Sequence, residues 1–123
     1  IQAACPWYPP TNLSTFKYKD AEESAASMES LLLGYNIMRN IKDAYNSSPV
    51  SRVTKNAPPF LIIHGIDDQT VPFEQSEELY DKLIENGCDA DLIALEGADH
   101  ADLQFFQDEL WERIIDFFET KLR

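Results

Sequence analysis

Residues 60–72 read FLIIHGIDDQTVP, and the fold turns on them. Phe60, Leu61, Ile62 and Ile63 are apolar in unbroken succession, so neither face of the segment is polar. A strand of that kind has to be covered on both sides, which is the pattern of a parallel sheet flanked by helices. His64-Gly65 follows, then the adjacent carboxylates Asp67 and Asp68, then a turn closed by Pro72. Acids are thus delivered to the exit of a buried strand, where open parallel sheets gather functional groups.

Downstream, residues 74–86 read as a helix with Leu79 and Leu83 on one ridge and Tyr80 and Ile84 on the next. Gly87 suits the residue that follows a helix end. Residues 91–96, DLIALE, read as a short strand, and residues 107–122 as a helix. That helix carries Leu110, Trp111, Ile114, Ile115, Phe118 and Leu122 on one wide face, and its Trp and Phe residues read as core. The order strand, helix, strand, helix predicts a parallel sheet with crossover helices. Upstream, residues 1–8, IQAACPWY, read as a further buried strand stopped by Pro9-Pro10. Residues 21–33 and 35–46 read as helices, and 46–59 as a loop ending in a Pro pair. The expected fold class is α/β, with about three parallel strands and flanking helices.

The 123 residues suffice for one modest domain, and a 44% hydrophobic content supplies its core. A net charge of −12 argues against nucleic acid or an anionic membrane surface as partner, because nothing neutralises phosphates. No apolar run approaches the ~20 residues of a membrane span, and no signal peptide is visible. Cys5 and Cys88 have no metal-type spacing and read as free thiols, although a disulfide between them stays open. The expected location is cytoplasmic. No cofactor motif is present; the Asp67-Asp68 pair could in principle hold a hard cation such as Mg²⁺, but no third carboxylate has a clear spacing to complete such a site. The chain begins without Met, inside what reads as a strand, which points to a piece of something longer.

The exit of the second strand carries EGADHAD, residues 96–102, with Asp99, His100 and Asp102. If the two strands are neighbours, their exit loops lie side by side and a carboxylate meets an imidazole. A carboxylate on one ring nitrogen fixes the tautomer and stabilises the imidazolium formed when the other nitrogen takes a proton. The remaining polar residues here read blandly: Asp67 as a turn acid, His64 as packing at the strand exit, Asp99 and Asp102 as solvated loop acids.

HGIDDQTVPFEQSEELYDKLIENG followed by LEGADH resembles the C-terminal part of the α/β-hydrolase fold. It is most similar to the esterase/lipase branch with carboxylesterase, feruloyl-esterase-like and acetyl-xylan-esterase-like members. That family carries an HGxxDxxVPxxQS segment, here His64, Gly65, Asp68, Val71, Pro72, Gln75 and Ser76. Its second signature is Gly-Ala-Gly-His, here Gly97-Ala98-Asp99-His100. The resemblance implies Asp68 as triad acid, His100 as base, and a small-molecule ester as substrate. Segments MESLLLG, SPVSRVTKNAPPFLIIHG and CPWYPPTNL resemble the flanking parts of the same fold, so the likeness takes in nearly the whole chain. It also implies a partial domain, residues 1–123, with cap or lid helices within 21–48. Two departures are visible: Asp99 stands where the family often has Gly, and Pro6 and Pro9 stand where Asp and Gly are commoner.

The triad of this fold runs Ser, acid, His, with Ser on a G-x-S-x-G elbow. None of the four glycines pairs around a Ser or Cys. The expectation is therefore a C-terminal segment that holds the acid and base, lacks the nucleophile and is inactive alone. Its unpaired sheet edge would call for a partner, either a missing N-terminal portion or a second copy. Two alternatives stay open: a prolyl-oligopeptidase-like serine peptidase, and a non-catalytic binding or assembly module derived from a hydrolase.

Overall fold

The computed structural model describes all 123 residues. They divide into two compact units, one made of Ile1–Pro10 with Val53–Arg123 and the other of Thr11–Arg52.

In the first unit the strands β1 (Phe60–Gly65) and β2 (Ala90–Leu95) pair in parallel, in register from Phe60 opposite Ala90 to Gly65 opposite Leu95. Helix α4 (Glu74–Glu85) makes the crossover between them and α5 (Asp108–Lys121) follows the second strand. Five of the six β1 residues are buried, as a strand covered on both faces requires. Leu61 and Ile63 point into a core with Ala98, Phe105, Leu110 and Ile114. The alternate residues Ile62 and His64 are fully buried on the opposite side. Helix α4 buries Leu79 and Leu83 along one face, and Gly87 follows its cap residue Asn86. Gly87 takes φ +72°, and the amides of Gly87 and Cys88 close back on the carbonyls of Ile84 and Leu83, satisfying the last turn.

The expected third strand is corrected: the sheet has two strands. Residues 1–8 do run alongside β1, but only through isolated parallel bridges at Ala4–Phe60 and Trp7–Ile63. Pro6 has no amide to donate, and Tyr8 turns to φ +39°, so no ladder propagates. The wide apolar face of α5 is narrower than its sequence implies. Leu110 and Ile114 are buried, whereas Trp111, Ile115 and Leu122 are exposed. Trp111 still meets Trp7 edge-on, with ring centroids 5.4 Å apart.

The second unit packs Leu13, Ile37 and Ala44 into a small core of its own. The single helix expected over 21–33 is two, α1 (Ala21–Ala26) and α2 (Met28–Leu33), broken at Ser27. Ser27 adopts extended backbone (ψ 150°) and its hydroxyl accepts from the Ser30 amide, capping α2. Asp20 caps α1 in the same way. The next expected helix is a short 3-10 turn at Ile37–Arg39 followed by α3 (Ile41–Asn46). No helix in the chain is long and apolar enough to cross a membrane.

Candidate active site

The parallel register sets the exit loops of β1 and β2 side by side, because Gly65 and Leu95 end their strands at the same level. Three hydrogen bonds from backbone amides then sew the loops together. The Ile66 amide donates to Leu95 O at 3.0 Å, and the Asp67 amide to Ala98 O at 3.1 Å. The Gln69 amide donates to Asp99 Oδ1 at 2.8 Å.

Asp68 lies at the centre of this junction with its carboxylate fully buried. Oδ1 accepts from the amides of Thr70 and Val71 at 2.8 and 2.7 Å. Oδ2 lies 2.8 Å from His100 Nδ1 and 3.2 Å from His64 Nε2. Two amides and His100 Nδ1 thus donate to the carboxylate, with His64 Nε2 close beside it. The two candidate residues Asp68 and His100, brought from separate loops, are in hydrogen-bond contact. Asp67, its neighbour in sequence, is exposed.

The hydrogen bonds determine both histidine tautomers. The carboxylate can only accept, so His100 donates from Nδ1, and in the neutral ring Nε2 is the nitrogen with the lone pair. The His100 side chain is 28% exposed. Its ring lies 4.1 Å from that of Tyr8, which also meets Phe105 edge-on. His64 is the reverse case, fully buried. Its Nε2 faces Val71 O at 2.8 Å, a carbonyl that can only accept, so Nε2 holds the proton. Nδ1 is left to accept from the Ser76 hydroxyl at 2.6 Å. Burial pushes His64 below the ordinary imidazole range, against the opposing pull of Val71 O and Asp68. Burial thus favours the neutral imidazole.

The expectation that no serine joins the acid and base is corrected here. Ser76, His64 and Asp68 form a continuous Ser–His–Asp line, and the same Asp68 oxygen continues it to His100. A G-x-S-x-G elbow is only one way of delivering a serine; Ser76 arrives instead on the first turn of α4. The inactivity inferred from a missing serine loses its premise. Ser76 and His64 are nevertheless both inaccessible, at 0% exposure. A signal for the buried hydroxyl was present: Ser76, Leu79 and Leu83 recur at helical spacing, so Ser76 shares the apolar face and requires a partner.

Asp99 is more than a solvated loop acid. Its Oδ1 accepts from its neighbour's amide, His100 N, at 2.6 Å as well as from Gln69 N. Those two amides, Gln69 first, hold its carboxyl below the usual carboxylate range. Asp102 accepts from the amides of Asp99 and Leu103, capping the 3-10 turn at Leu103–Phe106. Cys5 and Cys88 are free thiols. Burial pushes the Cys5 thiol up, which disfavours a nucleophilic thiolate there.

A parallel strand–helix–strand unit with an acid at the first exit and a histidine at the second defines an α/β-hydrolase-type fold of the esterase/lipase kind. The chain belongs to the BD-FAE family, whose sequence model matches residues 1–83. A truncated form of a carbohydrate esterase from gut microbiota superposes with a TM-score of 0.86 at 27% identity, over 98% of this chain and 42% of that one. A bifunctional GH43-CE protein of Bacteroides eggerthii gives 0.84 at 26% identity, over 98% of this chain and 17% of that one. Esterase LipC of Mycobacterium tuberculosis (strain ATCC 25618 / H37Rv) is 39% identical over 56 residues, 46% of this chain and 14% of LipC. The probable isoprenylcysteine alpha-carbonyl methylesterase ICMEL1 of Oryza sativa subsp. japonica is 34% identical over 91 residues, 74% of this chain and 19% of that protein. The chain spans between 14% and 19% of the length of these two curated relatives.

The structural likeness runs over 98% of the chain and is a property of the chain as a whole. The expectation of a C-terminal segment partnered by a missing N-terminal portion or a second copy had rested on an absent serine and an open sheet edge; the likeness over 98% of the chain replaces it as the description of the fold.

Proposed function

We propose that the whole protein hydrolyses carboxylic esters by serine-type acyl transfer, with Asp68 and His100 as its acid–base pair. One observation carries the reading: His100 Nδ1 is fixed on Asp68 Oδ2 at 2.8 Å, which leaves Nε2 as the basic nitrogen of the neutral ring, on a side chain that solvent reaches. In this reading Nε2 takes the proton of the attacking hydroxyl as its oxygen bonds to the ester carbonyl carbon. The imidazolium is stabilised by Asp68 below it and by the Tyr8 ring beside it. It then returns the proton to the departing alcohol oxygen, and water cleaves the acyl-enzyme by the same two proton transfers. The esterase names of the relatives support the substrate class. The free thiols support a cytoplasmic location.

A second reading makes Ser76 the attacking group, with His64 as its base, and rests on the 2.6 Å contact between them. Burial weighs against it, since an ester carbonyl has no path to a fully enclosed hydroxyl. The test is hydrolysis of p-nitrophenyl esters, with a phosphonate label mapped by mass spectrometry. Under the first reading His100→Ala lowers kcat by about 10²–10⁴-fold, and the label does not fall on Ser76. Labelled Ser76 would support the second reading, and full activity in His100→Ala would sink the first.

A further inference from the structure

We propose that Asp99 is a positioning residue: its carboxylate straps the acid loop to the base loop and thereby holds His100 on Asp68. The inference rests on the reading of Asp68 and His100 as the acid–base pair.

The connectivity carries it. Gln69 directly follows Asp68, and its amide ends on Asp99 Oδ1 at 2.8 Å. The His100 amide ends on the same oxygen at 2.6 Å. Each member of the pair is therefore one peptide unit from a shared anchor. Together with the His100–Asp68 contact of 2.8 Å, these links close a ring. The ring runs from Asp68 to the Gln69 amide, through the Asp99 carboxylate to the His100 amide, and through the imidazole back to the acid. Opening it at Asp99 leaves the two loops joined by fewer bonds and gives His100 a new freedom of rotation.

The backbone around His100 needs such an anchor. Ala101 sits at φ +54°, in the left-handed region that a Cβ disfavours. A turn of that kind persists only where neighbouring contacts hold it. Asp99 also donates its own amide to Asp102 Oδ2 at 3.3 Å, which ties its backbone into the same loop. Both strap bonds run from an amide to a carboxylate and belong to the stronger, charge-assisted class. The low protonation tendency of Asp99 agrees with that. The strap is exposed to solvent, so it acts on geometry more than on global stability.

The test compares Asp99→Ala and Asp99→Asn in the full protein. An asparagine keeps an oxygen that accepts both amides; an alanine has none. Two readouts are needed: ester hydrolysis resolved into kcat and KM, and amide hydrogen exchange at Gln69 and His100. We expect Asp99→Ala to lower kcat by about tenfold at nearly constant KM, because misplacement of the base affects the transition state alone. Exchange at both amides should rise at least several-fold, and Asp99→Asn should recover most of both effects. Unchanged exchange and kcat in Asp99→Ala would overturn the strap. So would a kcat loss that asparagine fails to recover while both amides stay protected. If the parent protein hydrolyses no ester, the functional reading fails, and the exchange comparison alone still decides whether Asp99 holds the loops.

Discussion

A methyl group placed on Gly65 would lie 2.3 Å from the carbonyl oxygen of Ala98. The glycine after His64 is therefore fixed by close approach, since the exit of β1 touches the backbone two residues before His100. Gly65→Ala should push the two loops apart. The expected cost is about 1–3 kcal/mol in urea unfolding, the range for overpacking a fitted interior. Activity should fall by more than tenfold, because an ångström at the junction separates Asp68 from His100. Wild-type stability in this variant would show that the loops yield freely.

Asp68→Asn is nearly isosteric and has a specific chemical defect. Its oxygen can still accept from Thr70 and Val71, but its amide nitrogen then meets two N–H groups, from His100 and His64. His100 must turn away or exchange tautomers, which places the proton on the nitrogen needed as base. The expected loss in kcat is on the order of 10³–10⁴-fold, with stability lowered by about 1–3 kcal/mol for donors left without a partner. A variant with near-normal kcat would remove Asp68 from the acid–base pair.

His64 predicts a pH dependence of stability rather than of catalysis. Burial lowers its folded-state pKa below the ordinary 6.5. Above about pH 6.5 both states are neutral and the group contributes no slope. Below it the unfolded chain binds a proton that the folded protein refuses, so stability falls as pH drops and levels off beneath the folded pKa. Urea midpoints measured from pH 7.5 to 4.5 should show this decline, and His64→Gln should flatten it. Asp99 acts in a separate, more acidic window, because its own depressed pKa starts from 3.8.

Ser76→Ala separates the two roles open to the buried hydroxyl. It leaves His64 Nδ1 as an acceptor without a donor inside the protein, at a cost of about 1–3 kcal/mol. With His100 as base, kcat should stay within a few-fold of wild type at temperatures where the variant is folded. Complete loss of turnover in a folded variant would give Ser76 the attacking role.

Much of this protein was readable from local pattern. The four apolar residues from Phe60 to Ile63 require burial on both faces, and helical spacing in residues 74–86 fixes the crossover that makes the strands parallel. Parallel strands of equal length place their exits together, so a contact between the 64–72 and 96–102 loops follows before any coordinate is known. Residues 1–8 show the limit of such reading. Their composition suits a strand, but strand formation depends on a continuous ladder with β1, and Pro6 and the turn at Tyr8 interrupt it. The exposure of Trp111 likewise depends on where α5 lies, and the helical repeat leaves that open.

The site divides along the same line. The sequence by itself determined which residues stand at the strand exits, because covalent order and strand period are local properties. Only the tertiary structure decided which atoms meet. Asp68 rather than Asp67 faces the histidines, Ser76 is linked to His64, and Asp99 joins the amides beside the reactive pair. Each of those outcomes depends on side-chain direction and on loop geometry accurate to a few tenths of an ångström. That accuracy is set by how the core packs around the junction, with Gly65 against Ala98 as its closest fit.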